Sequence, residues 1–303
     1  MERPVSTLNL YSRARHVYAC LLGVVLLGPG MAACGRGDLT SPSPIGPPAG
    51  TSAIYYSAVG ASDANGAGSS VPCFPFTVCD DGMGYVPVLV RQLRATRQVT
   101  LMNLGIPASV VGPATEAIAR RIGREVSGNF IDGAMPFVPQ ESTLVTVFGG
   151  VNDANIIGDA IEVGLAGNDI PGYIDTQARA FGADYARLIA GIRARAPRSF
   201  IIVVNVPNAA AMPFAAKYPI GHRRVLQTIA VALSRESNRQ LGPGVVVLDV
   251  MCNPITYAAS HFASDGFHPN DAGHAEIARQ LAAIVAGASS APSSSCSMMT
   301  AIQ

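Results

Sequence analysis

The chain has 303 residues, of which 49% are apolar and only 14% charged, with Lys+Arg 21 against Asp+Glu 20. That apolar content supplies a sizeable core and excludes wholesale disorder. A net charge of +1, a single lysine (Lys217) and no tryptophan exclude a basic, base-stacking nucleic-acid surface.

Residues 1–33 read as an export signal. Arg3, Arg13 and Arg15 precede an apolar run from Val17 to Leu27, too short for the ~20 residues of a membrane-spanning helix. Gly28-Pro29-Gly30 breaks that run, and Met31-Ala32-Ala33-Cys34 follows. Small residues before a cysteine resemble the lipobox of bacterial lipoproteins, so lipidation of Cys34 is expected; plain signal cleavage near Ala33 is the alternative. A lipid chain at Cys34 would hold the protein to a membrane, and residues 34–51, rich in Ser, Pro and Gly, would form the tether. The expected location is therefore the bacterial cell envelope. Without residues 1–33 the chain keeps 18 basic and 19 acidic residues.

The remaining chain alternates strands and helices. Short Val/Ile-rich apolar runs at Ala53–Val59, Val99–Leu104, Leu144–Phe148, Phe200–Val206 and Val245–Val250 read as strands buried on both faces. Helical periodicity falls between and after them, at Val86–Arg94, Ala114–Arg124, Thr176–Ala196, Arg223–Gln240 and Ala272–Ala286. Residues 154–173 are Gly-rich and read as a connection or a substrate-facing loop. Parallel strands need crossover helices, so the fold class is α/β, a three-layer α/β/α sandwich with a mainly parallel five-stranded sheet, over residues 52–288. Residues 289–303 read as a Ser/Pro-rich tail.

In an oxidising compartment the four remaining cysteines pair. Cys73 with Cys79 is the local choice, and Cys252 with Cys296 follows by elimination; either pair staying reduced is the alternative. Neither pair has metal-ligand spacing, so no metal is expected.

Four short blocks stand at predicted strand ends, where open α/β sheets bind ligands. They are Gly60-Ala61-Ser62-Asp63, Asn103-Leu104-Gly105, Gly150-Val151-Asn152-Asp153 and Asp265-Gly266-Phe267-His268. Ester hydrolysis needs a nucleophile, a base, a group to orient the base, and donors for the oxyanion. Ser62, His268 and Asp265 supply the first three. The N–H groups of Ser62 and Gly105 and the side-chain amide of Asn152 supply the donors. His261 is the rival base; His222 and His274 read as solvent-facing, and Asp153 as a loop brace. Gly60 to Gly68 does not have the spacing of a dinucleotide-binding loop.

The ordered Ser, Gly, Asn and D-x-x-H blocks resemble those of the SGNH hydrolases, the GDSL-type esterases and lipases. The resemblance spans the whole exported region and implies a flavodoxin-like fold, a Ser62–His268–Asp265 triad, and no cofactor. One departure is Ala61, where the family usually has Asp before the serine. The expected activity is hydrolysis of short- to medium-chain acyl or lipid esters by a monomer, with Phe74, Phe76 and Val78 lining an acyl pocket. The alternatives are carbohydrate O-deacetylation, disfavoured by the lack of tryptophan, acyl transfer, and a non-catalytic binding lipoprotein.

Overall fold

The computed structural model describes residues 45–50, 52–77 and 79–303. The export signal, Cys34, most of the tether and Val78 lie outside the described residues. Five strands form one parallel sheet in the order β2-β1-β3-β4-β5. They are β1 (Ile54–Gly60), β2 (Val99–Gly105), β3 (Leu144–Phe148), β4 (Phe200–Val204) and β5 (Val245–Leu248). Every residue of Leu-Val-Thr-Val-Phe in β3 and Phe-Ile-Ile-Val-Val in β4 is buried. Continuous β-branched and aromatic runs suit these strands because both sheet faces are covered.

Among the described residues the α-helices are α1 (Ser62–Asn65), α2 (Tyr85–Arg94), α3 (Pro113–Arg121), α4 (Phe130–Gly133), α5 (Val151–Glu162), α6 (Ile170–Arg195), α7 (Ile220–Asn238) and α8 (Asp271–Val285). On one face Val145, Val147, Ile201 and Val203 pack with Ile157 of α5, Leu188 of α6 and Ile229 of α7. On the other, Tyr56, Leu144, Ile202 and Val204 pack with Leu89 of α2 and Leu281 of α8. The alternation of Ile201 and Val203 with Ile202 and Val204 follows from the two-residue period of a strand. This is the three-layer parallel sandwich expected from the sequence.

Two helices differ from expectation. The segment 154–173 contains most of α5, whose helical face is interrupted in sequence by Gly158. That glycine is a packing device: a Cβ there would stand 3.0 Å from Leu226 of α7. The longest helix, α6, begins at Ile170 rather than Thr176, because Asp169 caps it by accepting the Gly172 N–H at 2.9 Å. The Thr176 hydroxyl then turns back to the Gly172 carbonyl at 2.8 Å.

The last fifteen residues are docked on the molecule. Cys296 is bonded to Cys252 across 44 positions. The Met298 carbonyl accepts from Asn208 and Gln227, each at 3.0 Å, and the Ile302 N–H donates to Gln227 at 2.9 Å. Among the described residues no helix is long and apolar enough to cross a membrane.

Candidate active site

The sheet order places β1 between β2 and β3, so the chain leaves β1 in one direction and returns to its other side. The crevice at the carboxyl ends of these strands is where such sheets bind ligands. Gly60 pairs with both Gly105 and Phe148, so the three strand ends are level. Ser62 follows β1 at the start of α1, and Asn152 follows β3 in the first turn of α5.

The loop after β5 brings in the other two groups. His268 Nε2 lies 3.0 Å from Ser62 Oγ, and His268 Nδ1 lies 2.6 Å from Asp265 Oδ2. With the ring proton on Nδ1, Nε2 is the acceptor for the Ser62 hydroxyl. Asp265 Oδ1 accepts the N–H groups of Phe267 at 2.8 Å and His268 at 3.0 Å. Burial works against the ionised Asp265, but these hydrogen bonds outweigh it and hold the carboxyl below its usual range. The loop packs tightly on the serine turn: a Cβ on Gly68, itself at φ +87°, would meet the Pro269 carbonyl at 2.4 Å and His268 Cβ at 2.7 Å. Only glycine allows that approach.

The serine turn is braced by residues for which the sequence offered no role. Asn103 Nδ2 donates to the Ala64 carbonyl at 3.0 Å, and the Cys73 N–H to the Asn65 carbonyl at 2.7 Å. His274 corrects its surface reading. It is fully buried, donating from Nε2 to the Ala67 carbonyl at 3.0 Å while Nδ1 accepts the Tyr85 N–H at 3.2 Å. Burial pushes its pKa down, which favours this neutral tautomer. Asp63 makes no side-chain hydrogen bond to another described residue, and burial pushes its carboxyl up. Asn103 and His274 thus hold the turn, where the family departure at Ala61 had left its bracing open.

Gly105 also needs correction. Its N–H donates to Asn103 Oδ1 at 3.0 Å and is not available to an oxyanion. Its glycine identity has a steric cause, since a Cβ would stand 2.7 Å from the backbone of Ala64 and Asn65. Asn152 donates one amide hydrogen to the Ser109 carbonyl at 2.9 Å, and its second has no acceptor among the described residues. Next to Ser109, the exposed Ala108 adopts a left-handed φ of +59°, and its N–H has no acceptor among the described residues. An alanine gives no sequence signal for that conformation; a glycine would have. Asp153 is fully buried and accepts the Val111 N–H, and burial pushes its carboxyl up to about 7.

The other predicted histidines lie apart from this relay. His261 Nδ1 is 3.1 Å from the Ile255 carbonyl. His222, at the start of α7, is half-buried and pairs through Nδ1 with Glu162. Phe74 and Phe76 are exposed, and Phe76 meets Phe137 edge-on at 5.7 Å. They form an open apolar ledge, not a closed pocket. Cys73 and Cys79 are bonded, with Cα atoms 5.9 Å apart. No group of three or more His, Cys, Asp or Glu among the described residues is placed to hold a metal. A cleft of about 270 Å³ opens beside Asn152 and Phe267 between α5 and α7.

Residues 58–276 match the GDSL-like Lipase/Acylhydrolase family. No curated protein matches the chain. Among solved structures, the lipase Lip_vut3 from a goat rumen metagenome is similar at 16% identity and TM-score 0.54, over 76% of this chain and 97% of that one. An extracellular lipase from Streptomyces rimosus is 14% identical at TM-score 0.48, over 76% and 99%. An acetylxylan esterase from Geobacillus stearothermophilus is 15% identical at TM-score 0.47, over 81% and 97%. With most of its length matched by the family, the chain belongs to the GDSL-like lipase/acylhydrolases, the SGNH hydrolases, and is a carboxylic ester hydrolase.

Proposed function

We propose that this protein is a cell-envelope serine esterase acting on short- to medium-chain acyl esters through an acyl-enzyme on Ser62. The observation that carries the reading is the unbroken relay Asp265–His268–Ser62, at 2.6 and 3.0 Å. Ser62 Oγ attacks the ester carbonyl carbon while His268 Nε2 takes its proton. The carbonyl oxygen becomes an oxyanion. Its donors are the Ser62 N–H at the uncapped start of α1, the second amide hydrogen of Asn152 and the Ala108 N–H, in place of Gly105. The C–O bond to the alcohol then breaks, and His268 returns the proton to the leaving alkoxide. Water repeats the sequence on the acyl-enzyme, giving the acid and free Ser62. Asp265 keeps the ring oriented and stabilises the imidazolium.

The Phe76–Phe137 ledge supports an apolar acyl group. Asn103 ties it to the serine turn, taking the Phe76 N–H on its carbonyl at 2.9 Å and donating to Ala64. The candidate export signal and Cys34 lipobox, together with the two disulfides, support the envelope location.

A screen of 4-nitrophenyl esters of increasing chain length tests both activity and acyl preference. Ser62→Ala and His268→Ala should each lower kcat by about 10⁴-fold or more. A fluorophosphonate should label Ser62 once per chain. Full hydrolysis by both variants would defeat the mechanism. Retention of the Cys34→Ala protein in the membrane fraction would defeat the anchor.

A further inference from the structure

The cleft beside Asn152 is built differently from the rest of the active-site rim. Helix α5 carries Asn152, Asn155, Asp159 and Glu162 at spacings of 3, 4 and 3 residues. Such spacings put the four on one face of a helix, in a polar stripe about 15 Å long. Ile157, on the opposite side, is buried against the sheet. The stripe starts at the oxyanion residue and runs away from Ser62. Across the cleft stand Tyr218 and His222, ring on ring at 4.2 Å, and Phe214, edge-on to Phe267 at 5.1 Å.

Among the described residues, the one guanidinium lining this cleft, Arg124, is paired with Asp159, and the His222 ring is hydrogen-bonded to Glu162 just outside it. An anionic ligand would therefore meet no unpaired cation. A hydrocarbon chain would strip water from the Arg124–Asp159 pair and from Asn155 without replacing its hydrogen bonds, which is unfavourable. Asn155 is half-buried, and its side-chain amide has no partner among the described residues. That amide offers two donors and an acceptor. A neutral ligand dense in hydroxyls fits these conditions, because each hydroxyl can replace a water on an amide or a paired ion without leaving a charge bare. The volume, about 270 Å³, is just below the ~300–1,000 Å³ that holds a whole drug-sized ligand, so it accommodates a single ring. Aromatic side chains stand in for the missing tryptophan.

We propose that this cleft binds the alcohol part of the substrate, and that this part is a sugar ring hydrogen-bonded by Asn155, His222 and the Arg124–Asp159 pair. The proposal rests on the esterase reading and makes Asn155 and His222 specificity residues. The acyl group lies toward the Phe76 ledge and the sugar toward α7, with Ser62 between them.

The test compares kcat/KM for the tetraacetate of methyl β-glucopyranoside with that for 4-nitrophenyl acetate. Asn155→Leu and His222→Phe remove hydrogen-bonding groups from opposite walls, and phenylalanine keeps the stack on Tyr218. Each should lower the sugar-to-nitrophenyl ratio about tenfold, through KM more than kcat. Unesterified methyl β-glucopyranoside should compete with the tetraacetate in the wild type, and saturation-transfer NMR should detect it on Ser62→Ala protein. Ratios unchanged in both variants, or no glycoside contact by NMR, would overturn the proposal. Brisk 4-nitrophenyl acetate hydrolysis with those results would sink the sugar site alone. Absence of both hydrolysis and fluorophosphonate labelling would sink the esterase itself, while the NMR experiment would still decide whether the sugar binds.

Discussion

Asp153 and Asn152 are adjacent in sequence, yet one is a buried brace and the other lines the cleft. The Asp153 carboxyl is pushed up to about 7 chiefly by burial, from 3.8. Between these values the folded chain keeps a proton that the unfolded chain has released. Stability therefore falls as pH rises through that window, and the penalty is complete above it. Asp153→Asn still accepts the Val111 N–H but cannot ionise, so the loss of stability between about pH 5 and about pH 8 should shrink; denaturant midpoints at the two pH values check this. Ala108 carries a different cost, since a left-handed alanine is disfavoured by ~1–2 kcal/mol. Ala108→Gly should raise the melting temperature while hydrolysis of 4-nitrophenyl acetate persists, read by calorimetry and initial rates. Gly68→Ala should do the reverse. Its Cβ would push on His268 and Pro269, so kcat should fall with the fold intact by circular dichroism. The relay Ser62, Asp265 and His268 was legible because those residue types follow strand ends in order. The Ala108 N–H was not, because backbone conformation leaves no mark on an alanine.

At the scale of elements, the strands could be read because burial on both faces forces continuous Val/Ile runs. Helix α5 could not: Gly158 lowers helix propensity within it, Gly164 and Gly167 follow it closely, and only packing against Leu226 of α7 explains the first. The same helix supplies Asn152, the Asp153 brace and the polar stripe, so missing it concealed the cleft. The carboxyl-terminal segment was read in part: its Ser/Pro composition reads as a tail and the expected Cys252–Cys296 bond pins it, but the ties of the Met298 and Thr300 carbonyls to Asn208 and Gln227 had no sequence signal. Closing a 44-residue separation is worth about 4 kcal/mol in chain-entropy terms. Cys296→Ser should therefore lower the denaturant midpoint by the equivalent of ~2–4 kcal/mol. A reductant should lower the wild-type midpoint at least as far, because it also opens Cys73–Cys79; equal midpoints with and without Cys296 would show that the strap adds nothing.

For the whole molecule, near-balanced charge has a kinetic consequence. With a formal charge of +1 and one lysine, the chain has little net field to steer an ionic substrate. Hydrolysis of a neutral ester should vary little with ionic strength, and kcat/KM measured from low to high salt checks this. A steep fall would point to a charged substrate instead of a neutral sugar ester. The amino-acid sequence by itself determined the layered fold, the order of the strands along the chain and the three residues Ser62, Asp265 and His268 that meet at the sheet's edge, because hydrophobic period and residue type are local properties. Tertiary structure alone decided which N–H groups are free, why Gly105 and Gly68 must be glycine, and that α5 and α7 face each other across a polar cleft. Those depend on which distant backbones approach within van der Waals contact, and no single segment of the chain encodes that.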